Sequence, residues 1–204
     1  RVDSVLNVRV KECAPFENVY TLALRGLHDK AMNASNDMGD RRDMLQEALM
    51  AQRQMLIDAI GKPGEEIPQA FTPYKEVLDV YDEGLKLPDD VTIIWPDDNY
   101  GYMKRLSSPK EQKRSGRSGV YYHASYLGKP HDHLWMNAVS PTLMYEELRK
   151  AYDATADRIW LLNAGDIKSC EFAVDYFLTM AFDIDSFNFE RAANYRAEWL
   201  CSML

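Results

Sequence analysis

Glycine is scarce where a nucleotide would need it. The chain holds ten glycines, yet no G-x-G-x-x-G follows the first strand candidate and no G-x-x-x-x-G-K-[ST] occurs at all, so nothing cradles a dinucleotide or nucleoside phosphate in the usual way. Cysteine is scarce too. Cys13, Cys170 and Cys201 are odd in number and widely spaced, which excludes a disulfide framework and a zinc-ligand pattern. No G-x-S-x-G elbow occurs and no cysteine ends a strand candidate, which argues against a nucleophilic hydrolase. No run approaches the about 18 consecutive apolar residues of a membrane span, and no signal peptide opens the chain. Positive charge is in deficit: 24 Lys and Arg against 32 Asp and Glu leave a net charge of −8, whereas a nucleic-acid binder would show a basic face. The one basic cluster, 110–117, reads as a solvated helix end or loop.

What remains is globular material, with 46% hydrophobic and 27% charged residues in 204, enough for one substantial core. Strand candidates are 19–25, 67–71, 91–95, 119–123 and 158–163. Between them, 42–60 places Leu45, Ala48, Leu49, Leu56, Ala59 and Ile60 on one face, and Gly61 with Pro63 ends it. Thr72 and Pro73 predict a cap and first turn for a helix through Leu85; Ser140 and Pro141 repeat the signature before 143–152. Helices at about 168–182 and 187–203 close the chain. Five β/α steps with apolar strands require a parallel sheet covered by helices. The class is α/β, and a doubly wound sheet and a TIM barrel both fit; either binds ligands at the C-terminal ends of its strands.

Those ends are polar in all five cases. The strands lead into Arg25-Gly26-Leu27-His28-Asp29, Tyr74-Lys75-Glu76, Asp97-Asp98-Asn99, His123, and Asn163-Ala164-Gly165-Asp166. One such end makes a turn or caps a helix; five together point to a site. Asp98 and Asp166 are the residues expected to cap backbone amides. His28, Asp29, Asp97, His123 and the triplet His131-Asp132-His133 could supply metal ligands, but their spacing matches no compact motif. The inventory otherwise suits a carbohydrate: hydroxyls need donors and acceptors, rings such as Trp95, Tyr100 or Tyr126 can pack on a sugar face, and two carboxyl groups can cleave a glycosidic bond. Trp95 reads first as core.

The stretches YTLALRGLHD (20–29), YKEVLDVYDEGLKLPDDVTIIWPDDNYGYMKRL (74–106), GVYYHASYLGKP (119–130) and WLLNAGDIKSCEFAVDYFLTMAFD (160–183) resemble the catalytic barrel of glycoside hydrolase family 115, the xylan α-glucuronidases, in order from about residue 18. The resemblance implies a partial (β/α)8 TIM barrel with about five β/α units. Residues 1–204 would be a single segment of a catalytic domain, incomplete at one or both ends. It implies removal of α-1,2-linked glucuronic acid or its 4-O-methyl ether from glucuronoxylan by an inverting acid/base mechanism, without cofactor or metal, in the complete protein. Glu76 matches the general acid; Asp29 and Asp97 are candidates for the base or its support; Arg25, Asn99, His123 and Asn163 match positions that bind the uronate. Partners are then glucuronoxylan or its oligosaccharides, with no nucleic acid and no membrane, and a homodimer is left open for the full-length protein. The chain begins at Arg1 and in mid-pattern, as a piece of something longer, for which a secreted or periplasmic location is expected.

Read without the family, the same residues keep other uses. Arg25 could pair structurally with Asp97 or Asp29, Glu76 could be a first-turn helix glutamate, and His123 a core imidazole. A noncatalytic carbohydrate-binding relative and a metal-dependent TIM-barrel hydrolase are the competing readings.

Overall fold

A computed structural model describes residues 2–26, 30–32, 36–134 and 138–204. The elements, in chain order, are α1 (Val2–Cys13), β1 (Tyr20–Thr21), α2 (Met38–Ile60), β2 (Gln69–Phe71), α3 (Glu76–Asp82), β3 (Thr92–Pro96), β4 (Ser118–His123), α4 (Pro141–Asp153), β5 (Trp160–Asn163), α5 (Ile167–Phe182) and α6 (Phe189–Ser202). The strands are parallel and lie in one sheet in chain order, β1-β2-β3-β4-β5. A doubly wound sheet reverses its order at a switch point; this sheet does not. Sequential order with intervening helices is the connectivity of a barrel wall, so the fold is α/β and corresponds to a partial (β/α)8 barrel. Between β3 and β4 a short 3-10 turn, Glu111–Lys113, stands where another unit has its α-helix.

The chain divides into two compact units, Arg1–Ile93 with Arg114–Arg117, and Ile94–Lys113 with Ser118–Leu204. In the first, α2 begins four residues earlier than its apolar stripe, because the Asp37 side chain accepts from the Asp40 N–H and caps it. It ends where the sequence says, with Gly61 at φ 74° in the left-handed region that glycine enters without penalty. Leu45, Leu49 and Leu56 are its buried residues. No helix is expected before residue 42, yet α1 spans Val2–Cys13; Val2, Val5, Leu6 and Val10 stand at i, i+3, i+4 and i+8, a helical spacing that the strand-and-helix count from residue 19 onward leaves out.

β1 is far shorter than the predicted 19–25. Beyond Leu22, whose N–H donates to the Ala70 carbonyl, the Gln52 side chain accepts from the Ala23 N–H and donates to the Ala23 carbonyl. A side chain of α2 thus takes over what a neighbouring strand would supply. α3 is also shorter than predicted. Thr72 and Pro73 do not open it: the Tyr74 N–H turns back to the Thr72 carbonyl, Lys75 follows at φ 53° and ψ −124°, and the helix starts at Glu76.

The basic stretch is not all solvated. Arg114 has an 11% exposed side chain. Its guanidinium donates to the carbonyls of Leu87, Pro88 and Val91, which fixes the chain entering β3.

In the second unit, Pro141 opens α4 behind Ser140 as the sequence predicts. Tyr122 of β4 and Trp160 of β5 both meet Phe177 of α5, and Tyr176 packs against Phe187 and Tyr195. Alternation along β4 then turns Tyr121 and His123 to the face opposite Tyr122.

Candidate functional site

In the first unit the peptide after β1 and the start of α3 bring Arg25 and Glu76 together. The Arg25 guanidinium is bidentate: Nε donates to Glu76 Oε1 and Nη2 to Oε2, each at 3.1 Å. Both side chains are about four-fifths buried, at 20% and 21% exposure. The guanidinium carbon also lies 5.6 Å from the centre of the Tyr74 ring, within cation–π range. Arg25 does pair with an acid, and among the described residues Glu76 is one such partner. Asp29, with Leu27 and His28, lies outside the described residues.

Glu76 is aimed by a strained backbone. Lys75 precedes it with a positive φ and a ψ of −124°, a combination that L side chains rarely adopt and that costs about 1–3 kcal/mol. Such an outlier beside a candidate acid is what an aimed side chain would require. Lys75→Gly removes the strain and is expected to be about 1 kcal/mol more stable than Lys75→Ala, which loses the same side chain but keeps a Cβ. Thermal unfolding of the two variants checks this, and equal stabilities would mean that the turn is unstrained.

In the second unit the ends of β3, β4 and β5 build a hydrogen-bonded group. Asp97 is buried, with no exposed side-chain surface, and three donors converge on it. Oδ1 accepts the Asn99 N–H at 2.9 Å and meets His123 Nδ1 at 2.6 Å; Oδ2 accepts the His123 N–H at 3.0 Å. An acceptor-only carboxylate puts the proton of that ring bond on Nδ1 of His123. The His123 ring lies 4.6 Å from that of Tyr121 and edge-on to Tyr126 at 5.7 Å. Tyr121 is two residues before His123 on the same face of β4, and its hydroxyl accepts from Asn163 Nδ2 at 2.7 Å. Asp97, His123, Asn99 and Asn163 thus belong to one connected group, with Tyr121 as the member the sequence reading does not name. Its signal was present in YYH, where strand alternation puts positions 121 and 123 on the same side. Trp95 is fully buried and donates to Ser107 Oγ, with Arg105 over its ring at 4.5 Å; it is core.

The polar loop after β3 is held by its own carboxylate. Asp98 Oδ1 accepts the N–H groups of Tyr100 and Tyr102, as expected of it. Asn99 takes φ 73° and Gly101 φ 97°. A Cβ at Gly101 would come within 2.8 Å of the Tyr122 hydroxyl, which donates to the Gly101 carbonyl. Burial, and then the nearby charge of Asp97, pushes the Tyr122 phenol well above its usual range, so it remains a donor. Asp166 takes the N-cap position of α5 without a side-chain bond to the helix amides. Among the described residues, no three His, Cys, Asp or Glu side chains gather as a metal-binding set, and no helix is long and apolar enough to cross a membrane.

The sequence model of glycosyl hydrolase family 115 matches residues 1–204. The chain belongs to that family. The match takes in α1, which lies before the first of the resembling stretches. Among solved structures, the chain is similar to a family 115 4-O-methyl-α-glucuronidase with specificity for decorated arabinogalactans, at 43% identity and a TM-score of 0.87 over 91% of this chain. It spans 24% of that protein's length. No curated protein matches the sequence.

Proposed function

We propose that the protein carrying this chain removes α-linked glucuronic acid, or its 4-O-methyl ether, from a plant polysaccharide by an inverting mechanism. The observation that carries this reading is the bidentate Arg25–Glu76 pair: a planar fork suited to a carboxylate stands beside the carboxyl group that matches the family's acid. The uronate carboxylate competes for that fork. When it takes the place of Glu76 on Arg25, the Glu76 carboxylate loses its cation, takes up one proton from solvent and holds it for the glycosidic oxygen. Substrate binding and arming of the acid are then coupled through one exchange of partners on Arg25 and one proton taken up.

Inversion needs a second carboxylate on the far side of the anomeric carbon, about 6.5–9.5 Å from the acid, to take a proton from the attacking water. Of the two candidates, Asp97 has both oxygens committed to donors of its own unit, which supports a role in holding His123 and Asn99. The base is therefore assigned to Asp29. His123, Asn99 and Asn163 supply donors and acceptors for sugar hydroxyls. Xylan is the main chain that the family resemblance implies; decorated arabinogalactan is the second reading, favoured by the specificity of the similar enzyme.

The full-length protein tests this directly: incubated with glucuronoxylan and with a glucuronate-decorated arabinogalactan, it should release the uronic acid from at least one, with inverted configuration in the first product. Release from neither, or a product of retained configuration, refutes the proposal. Arg25→Ala tests carboxylate recognition. Its loss in kcat/KM should be about tenfold greater on the acid than on the neutral methyl ester of the same substrate, a difference of about 1.4 kcal/mol. Both substrates suffer equally from the loosened Glu76, so the difference isolates the fork. Equal losses would leave Arg25 as a support for Glu76 alone.

A further inference from the structure

The members of the triplet His131-Asp132-His133 each have partners within the protein. The His131 ring stacks on Tyr100 at 4.6 Å, and its carbonyl accepts from the Tyr100 hydroxyl at 2.9 Å. Asp132 Oδ1 accepts the Gly128 N–H and closes the turn of its own loop. His133 pairs its backbone with that of Tyr126 in both directions and sends Nε2 to the Asn99 carbonyl at 2.7 Å. The contacts of His131 with Tyr100 and of His133 with Asn99 tie the loop after β4 to the loop after β3, and the other two close the β4 loop on itself.

Asn99 is one point where the two loops meet. Its φ of 73° lies in a region that asparagine tolerates better than most residues but does not prefer. The two peptide groups flanking its Cα are both pinned: the N–H by Asp97 Oδ1, the carbonyl by His133 Nε2. With both planes fixed, φ and ψ of Asn99 are fixed, and so is the direction in which its side chain leaves the backbone. A carbonyl oxygen can only accept, so His133 carries its proton on Nε2. His133 is 9% exposed, and its Nδ1 is buried without a hydrogen-bond partner among the described residues. Leaving a buried ring nitrogen unpaired has a cost, and here it accompanies the bond to Asn99.

We propose that His133 is a positioning residue for the uronate site: through the single bond from Nε2 to the Asn99 carbonyl it holds Asn99 in its left-handed conformation and presents that side chain to the sugar. The proposal rests on the glucuronidase reading for its effect on activity, and on geometry alone for its effect on the loop. It assigns to the triplet a task that the family's acid, base and carboxylate-binding residues do not cover.

Three variants in the full-length protein test it. His133→Phe keeps a ring of similar size and removes the donor. His133→Gln places an amide N–H near the position of Nε2, whereas His133→Asn places its amide near Nδ1, out of reach of the Asn99 carbonyl. The expected result is that His133→Phe and His133→Asn lower kcat/KM about tenfold, and that His133→Gln restores most of it. In an Asn99→Ala background, His133→Phe should cost less than a further twofold, because the residue through which it acts is gone. Hydrogen exchange supplies a readout that needs no turnover: amides of the 98–102 peptide should exchange at least tenfold faster in His133→Phe than in the parent, and near the parental rate in His133→Gln. Equal exchange in all four proteins overturns the proposal, as does a loss from His133→Phe that is unchanged in the Asn99→Ala background. A parent that releases no uronic acid, yet shows faster exchange in His133→Phe, would refute the glucuronidase reading and leave the loop clasp standing.

Discussion

Glu76→Gln is expected to lower turnover of the natural polysaccharide by about 100-fold or more in the full-length protein. The substitution preserves shape and one acceptor for Arg25, and it removes the only proton that this side chain could transfer. The loss should depend on the leaving group. An alkoxide of a polysaccharide hydroxyl departs badly unless protonated, whereas an aryl glucuronide, if accepted, departs with little help and should lose much less. That contrast separates an acid from a residue that merely orders the pocket, which would affect both substrates alike. The bidentate pairing seen between Arg25 and Glu76 adds a further expectation. Because glutamine returns only one acceptor to the fork, Arg25 in the variant is held less firmly by its own protein, and the uronate should bind no worse than in the parent. A variant that keeps turnover of the natural substrate with unchanged binding would return Glu76 to the role of a helix-start glutamate locked to an arginine.

Hydrophobic runs and alternation located β2, β3, β4 and β5 to within a few residues, because a buried parallel strand must be apolar and short. β1 is less legible: residues 22–25 look like strand, yet Gln52, 29 residues from Ala23 in the sequence, satisfies the backbone of Ala23, and no local pattern announces a side chain that replaces a strand. The same holds at Thr72-Pro73, which read as a cap and first turn but do not open the helix: the chain takes a positive φ at Lys75 and the helix begins at Glu76. Strand ends gave away the residues of the candidate site, since one polar cluster per strand is a signal that survives without coordinates. What they could not give was partnership. Arg25 was open to pairing with Asp97 or Asp29, and Asp97 to being an exposed base; only the fold shows that Arg25 holds Glu76 and that Asp97 is buried against His123. Arg114 illustrates the converse, a basic residue in a charged run that is spent on buried carbonyls rather than solvent.

The role of Asp97 can be decided by a single atom. Three donors, the Asn99 N–H, the His123 N–H and His123 Nδ1, converge on its two oxygens in a fully buried place. Asp97→Asn must present an NH2 group in place of one oxygen, and whichever oxygen it replaces, the new donor faces an old one. Leaving a buried donor unsatisfied costs about 1–3 kcal/mol, and Asp97→Ala, which leaves all three donors without their partner, is expected to cost more than Asp97→Asn. The first cooperative transition of the full-length protein should fall accordingly, and hydrogen exchange should localise the loss to the ends of β3 and β4. Activity should fall as a consequence, with the loosened His123 and Asn99 raising KM. A catalytic base behaves otherwise: Asp97→Asn would abolish turnover while leaving stability within about 0.5 kcal/mol of the parent, as substitutions away from structural features do. If that second pattern is found, Asp97 rather than Asp29 takes the proton from water, and the three hydrogen bonds around it are the means by which a buried base is aimed.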